Sequence, residues 1–185
     1  MKALLLSAAL ALPLAAPVSA SASLGGTPVT AETLVDRAEM IRIADAIDAA
    51  VDAKDWPVAR SFFADEIMVD FTSLIGGDPA TIPADALIAG WAGNLTDEKT
   101  SFHLRGNHRI GFDGADRAVM QSHGYAWNRM DRGAAPENGG DPLWEVWGSY
   151  THVFERSEAG WKVTAMTFTA MAQRGNSFVR DTPGS

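Results

Sequence analysis

The sequence predicts an α+β fold in which three N-terminal helices pack on one face of a curved antiparallel sheet. Apolar residues recur at helical spacing up to about residue 94, and everything beyond Thr100 reads as strand. Gly- and Asp-rich breaks, GFDGAD, DRGAAPENGGDP and ERSEAG, fall between the strands and supply their turns.

The chain opens with a segment that stands outside this fold. Residues 1–22 carry one charge, Lys2, then an apolar run from Ala3 to about Ala16, then small residues. This is the pattern of a secretory signal peptide cut after Ala20 or Ala22. Pro13 and Pro17 interrupt the run and no basic cluster follows, which disfavours a membrane anchor. A periplasmic or secreted domain is expected, with no membrane contact once the leader is gone.

Residues 23–30 are a Gly/Pro linker. The first helix runs from about Ala31 to Ala53, with Met40, Ile43, Ala44, Ile47 and Val51 on its apolar face and Asp45, Asp48 and Asp52 on the neighbouring stripe. A second, short helix starts where Asp55 can cap and Pro57 sits in the tolerated first turn, and it runs through Phe63. Residues 66–72 read as a strand, GGDPATIP as turns, and residues 83–94 as a third helix burying Leu87, Ile88 and Trp91. Four long strands follow, over Thr100–Phe112, Ala115–Met130, Leu143–Phe154 and Trp161–Met171, and residues 173–185 form a tail. The 131–142 connection has almost no apolar anchor and is expected to be a mobile hairpin loop at the pocket mouth.

Composition narrows the chemistry. A chain of 185 residues with 15 Lys+Arg, 23 Asp+Glu and a net charge of −8 lacks the basic stripe of a nucleic-acid reader. With no Cys, thiolate metal sites, disulfides and thiol nucleophiles are excluded, leaving His, carboxylates and hydroxyls. The four His show no HxH or HExxH spacing, and His103 and His108 have opposite parity on one strand, so no metal is expected. Nucleotide loops and the GxSxG serine motif are absent.

Strand parity sorts the candidate site residues. On 100–112, His103, Arg105, Asn107 and Arg109 share one face, and Phe102, Leu104, Ile110 and Phe112 the other. The second face needs cover that three helices cannot give to both sides of a sheet, which predicts a homo-oligomer, dimer or trimer. On the next strand His123, Tyr125 and Trp127 share a face, suited either to a ring-binding pocket or to a cross-strand aromatic ladder.

Three segments in this order carry a resemblance: VDAKDW leading into ARSFFADEIMVDF, then SFHLRGNHRI, then GSYTHVFERSEAGWKV. The chain resembles a SnoaL-like protein of the superfamily that also holds nuclear transport factor two, ketosteroid isomerase, scytalone dehydratase, bile-acid dehydratase and hexachlorocyclohexane dehydrochlorinase. The resemblance covers about Glu32 to Met171. It implies a cone of curved, mixed or antiparallel sheet closed by the helices around a pocket, with relatives that form trimers. In the dehydratase-like branch an Asp ending the first helix pairs with the first His of the long strand, here Asp52 and His103. Ile47 stands where some relatives carry Tyr or Lys, and Val51 and Phe71 where others carry Tyr.

The resemblance and the residues together predict a cofactor-independent lyase, a dehydratase or related elimination catalyst, acting on a hydroxylated aromatic or polycyclic small molecule. His103 is the expected general acid/base and Asp52 its orienting carboxylate, with Asn107, His123, Tyr125 and Trp127 as the substrate-facing shell. A proton-transfer isomerase would use the same pair. A non-catalytic periplasmic domain that holds a small ligand is the alternative from another class.

Overall fold

The structure is a computed structural model that describes residues 27–130 and 141–181. The expected leader and most of the 131–142 connection lie outside the described residues.

Helix α1 (Ala31–Asp52) opens at Thr30, whose backbone N–H donates to Thr33 Oγ1. It ends in a Schellman turn: Lys54 takes φ 57°, its N–H reaches Val51 O, and the Asp55 N–H reaches Ala50 O at 2.8 Å. Asp55 then caps α2 (Trp56–Ser61) through the Val58 N–H, with Pro57 in the first turn as the sequence predicts. The tight exit fixes the last turn of α1, where Asp52 sits.

Strand β1 (Phe63–Asp70) starts three residues before the predicted strand. The GGDPATIP stretch is more than turn: α3 (Thr72–Ile75) precedes it, Gly76 and Gly77 reverse the chain at positive φ, and β2 (Ala80–Pro83) pairs antiparallel with β1. β2 is an edge strand, which is where a terminal Pro is tolerated. After α4 (Ala84–Asn94) come β3 (Thr100–Phe112), β4 (Arg117–Arg129), β5 (Leu143–Ser157) and β6 (Gly160–Gly175). Where a tail from residue 173 is predicted, β6 continues to Gly175 and a short helix α5 (Ser177–Asp181) follows. Its Val179 is fully buried.

The six strands form one mixed sheet in the order β2-β1-β6-β5-β4-β3, with β1 parallel to β6 and every other pair antiparallel. The fold is α+β, a curved sheet closed on its inner face by α1, α2 and α4. The main core lies between them, built from Met40, Ile43 and Ile47 of α1, Leu87 and Ile88 of α4, and Met120, Phe154, Val163 and Met166 of the sheet.

One residue corrects the predicted strand parity. Gly106 pairs with His123 and Arg109 with Gln121, so β3 spends three steps where β4 spends two. The extra residue is a bulge at Asn107, which sits at φ 55°, a conformation Asn adopts more readily than most side chains. Beyond it the faces exchange. Ser101, His103 and Arg105 point inward before the bulge, and His108, Ile110 and Phe112 point inward after it. Ile110 is 2% exposed and Phe112 packs against the core, so neither belongs to the outer patch predicted for them. Phe102 and Leu104 do remain exposed on the outer face. The opposed parity of His103 and His108 is likewise undone, which removes that argument against a metal. Among the described residues no three His, Cys, Asp or Glu side chains gather closely enough to share an ion.

Gly124 and Gly148 are paired in mid-sheet and let aromatic rings lie flat on the inner face. A Cβ on Gly124 would stand 2.5 Å from Tyr150 Cε2, and one on Gly148 would stand 2.5 Å from Phe168 Cζ. The rings of Tyr150 and Phe168 pack together at 4.6 Å between centroids, directly over this glycine floor.

Candidate active site

Three acids of α1, at positions 45, 48 and 52, recur at helical spacing of three and four and so share one stripe. α1 crosses the inner face of β3, and this stripe meets His108, Arg105 and His103 in turn. Two amphipathic patterns, one of period 3.6 and one of period 2 with a bulge, thus build a row of three acid–base contacts.

At the end of the row Asp52 accepts hydrogen bonds from three donors. His103 Nδ1 lies 2.7 Å from Oδ1, the His103 backbone N–H donates to Oδ2 at 2.7 Å, and Ser101 Oγ donates to Oδ1 at 2.9 Å. Burial alone would raise the Asp52 pKa. The His103 ring and backbone N–H and the Ser101 hydroxyl together outweigh that and hold the carboxyl below its ordinary value. An ionised Asp52 keeps the imidazole proton on Nδ1, which leaves Nε2 with its lone pair free for chemistry. The side chains are 19% and 20% exposed, so the pair is partly dry.

His103 forms part of the wall of a cavity of about 500 Å³. Asp52 is not on that wall and stands behind the imidazole. The cavity is mostly apolar, with Ile47, Val51, Leu87, Trp91, Val146 and Phe168 around it, and its polar groups are Asp48, Asn94, His103, Arg105, Asn128, Tyr150 and Arg180. This is the composition of a site for a ring-sized molecule with a few fixed polar contacts.

Next to the dyad is a second buried network. Arg105, 2% exposed, donates through both Nε and Nη2 to the Asp48 carboxylate, and its guanidinium lies 3.9 Å from the Tyr150 ring centroid. Its Nη1 donates to His152 Nε2 at 3.1 Å. Burial pushes Tyr150 up to about 12, so its hydroxyl stays protonated. His152 is fully buried, and burial first, then the charges of Arg105 and His108, push its pKa well below the ordinary 6.5.

His152 makes the fold acid-labile. Its folded pKa lies below its unfolded value, so nothing is lost above pH 6.5. As pH falls through 6.5 the unfolded chain binds a proton that the fold refuses, and stability declines. The unfolding equilibrium constant is expected to rise by up to about tenfold per pH unit between 6 and 5. His152→Gln should flatten that stretch of the profile in urea unfolding curves, and an unchanged slope would assign the lability elsewhere.

The predicted substrate-facing shell is not at the cavity. Asn107, His123, Tyr125 and Trp127 all stand on the outer face of the sheet or at the bulge. Asn107 Nδ2 lies 3.0 Å from His123 Nδ1, the Tyr125 hydroxyl donates to Glu145 at 2.6 Å, and Trp127 stacks on Phe102 at 6.0 Å. On β4 the inward row is instead Ala118, Met120, Ser122, Gly124, Ala126 and Asn128. The physical reason is volume: a row of large aromatics would fill the space the cavity occupies, so the small residues face in. Of the site residues at the cavity, Asp48 and Arg105 carry a signal in helical spacing and in shared parity with His103. Tyr150 and Asn128 stand out only once the glycines and the inward row are placed.

The geometry now has a family to stand in. A SnoaL-like domain model matches residues 32–167. Comparison with curated proteins gave no match. A Kribbella flavida protein of known structure is 26% identical, with a TM-score of 0.73 over 79% of this chain and 97% of its own. A candidate scytalone dehydratase from Novosphingobium aromaticivorans is 18% identical, with a TM-score of 0.65 over 77% of this chain and 88% of its own. A hexachlorocyclohexane dehydrochlorinase from Novosphingobium barchaimii is 16% identical, with a TM-score of 0.61 over 83% and 98%. The last two show the fold alone. The matched segment takes in nearly all of α1, the Asp52–His103 contact and the sheet as far as Thr167, and on that match the chain belongs to the SnoaL-like domain family.

Proposed function

We propose that this protein is a cofactor-independent lyase that eliminates water, or a comparable leaving group, from a hydroxylated aromatic or polycyclic small molecule. The observation that supports it most is His103, with Nδ1 held by Asp52 and its ring on the wall of an apolar cavity. In the proposed step His103 Nε2 takes a proton from a saturated ring carbon next to the carbon that bears the hydroxyl. The electron pair of that C–H bond forms the new C=C bond as the neighbouring C–O bond breaks, and the imidazolium so formed passes its proton to the departing oxygen, which leaves as water and returns His103 to the neutral imidazole. The imidazolium formed is stabilised by the Asp52 carboxylate. Tyr150, kept protonated, is a hydrogen-bond donor to an oxygen of the bound compound.

Incubating the protein with a panel of hydroxylated one- to three-ring compounds, and following new conjugation by ultraviolet absorption and mass loss of 18 (roughly one water), tests this. Loss of water catalysed by the protein supports it. Positional isomers without loss of mass would identify an isomerase using the same dyad, and tight binding with neither product would identify a container.

The same proposal places the protein in the periplasm or outside the cell, on the pattern of residues 1–22. It also makes the protein a homo-oligomer, with a second copy covering the outer face of the sheet. Phe102 and Leu104 are 42% and 58% exposed there beside Trp127, an apolar surface that water-facing sheets avoid. Sedimentation equilibrium at micromolar concentration is expected to give a dimer or trimer, and a monomer alone would refute the assignment.

A further inference from the structure

We propose that Asn128 is the contact that selects an oxygenated ligand: its carboxamide binds a hydroxyl or carbonyl oxygen of a neutral ring compound lying against His103. The inference rests on the cavity being a ligand site, as proposed above, and does not depend on turnover.

Asn128 lies on the inner row of β4. It pairs with Ser101, whose hydroxyl bonds Asp52, and is two residues from Ala126, which pairs with His103. The carboxamide therefore shares the cavity wall with His103, one pleat repeat along the strand, about 7 Å away. Its residue is 9% exposed, its Oδ1 is buried with no hydrogen-bond partner, and no described residue bonds its amide. Buried amides in folded proteins are nearly always satisfied, so an orphaned one on the wall of a cavity is a group waiting for what fills the cavity.

The neighbouring charges define the class of ligand. The two cations on the wall are already matched by carboxylates of the chain itself, Arg105 by Asp48 and Arg180 by Asp181. A carboxylate or phosphate ligand would have to compete with them, whereas a neutral compound would not. The rest of the wall around Asn128 is hydrocarbon, including Trp144, Val146 and Phe168. A ring stacked there satisfies the apolar wall, and one oxygen on it satisfies Asn128, which as a carboxamide can donate to a carbonyl or exchange both roles with a hydroxyl. A plain hydrocarbon of the same shape leaves the amide unpaired.

The probes are 2-naphthol and naphthalene, which differ by one hydroxyl, and equilibrium dialysis against the full chain gives the affinity of each. In Asn128→Leu the naphthol-to-naphthalene affinity ratio is expected to fall about tenfold, with naphthalene binding kept within about threefold of the parent. In His123→Ala, on the outer face of the sheet, the ratio should hold, because the preference belongs to the cavity wall. The proposal is overturned if 2-naphthol does not bind the parent, if the ratio is unchanged in Asn128→Leu, or if it falls as far in His123→Ala. Should Asn128→Leu bind neither probe, Asn128→Ala is read in its place by the same criteria. Failure of the lyase reading would appear as absence of product in the compound panel and would leave this ratio where it is.

Discussion

His103→Ala is expected to lower turnover by about 10²–10⁴-fold while ligand binding and the thermal midpoint stay close to the parent's. The imidazole has one job in the proposed step and little structural burden, being a part-exposed cavity-wall side chain whose one hydrogen bond is to Asp52. Asp52→Asn should cost nearly as much for a different reason. The Asn amide can present a donor to Nδ1, which moves the imidazole proton to Nε2 and removes the lone pair that takes the substrate proton. The pair also has a pH signature. The Asp52 carboxyl is held below its ordinary value, so its stabilising contribution is fully present above about pH 4 and is lost as pH falls through the folded value. Initial rates on a compound found in the panel, taken alongside unfolding midpoints, check all of this. Equal rates in the parent and in both variants would move the chemistry away from the dyad.

The pairing of Asp52 with His103 is legible through the family resemblance, whereas local signals place only the elements that carry the two residues. Asp52 sits one residue before the Ala53–Lys54–Asp55 turn that both ends α1 and caps α2, and His103 sits near the start of a long, unbroken strand. The shell around them is not legible, because it depends on register across strands. An unpaired residue at Asn107 reverses every side chain beyond it, and nothing in an alternating pattern announces the reversal except an Asn following a Gly. On β4 the polar aromatic row looks more like a site than the row of Ala, Ser and Gly. Yet cavities are made where side chains are small, so the outer face received Tyr125 and Trp127. The extra elements β2 and α5 are four and five residues long, too short for periodicity to reveal. Pairing with β1 makes the first, and burial of Val179 against Trp144 and Phe168 makes the second.

Asp48→Leu is expected to destabilise the protein by about 3–5 kcal/mol. Arg105 is 2% exposed and charged, and burial by itself works against that charge. Chiefly the Asp48 carboxylate, through its attraction and its hydrogen bonds, holds the charged guanidinium there. Removing the acid leaves a cation without its hydrogen-bonded carboxylate between Tyr150 and His152, and neither can replace it, since both are neutral in the fold. Adding Arg105→Met should restore most of the loss, because the bare cation and not the missing bond is what costs stability. Urea unfolding of the parent, both single variants and the double variant gives the coupling directly. Additive losses would show that Asp48 and Arg105 act independently. If the coupling holds and the double variant is stable yet binds ligand poorly, the pair is there to hold Tyr150 flat on Gly124 at the cavity wall, 3.9 Å beneath a fixed cation, and its role is to shape the site rather than to stabilise the fold.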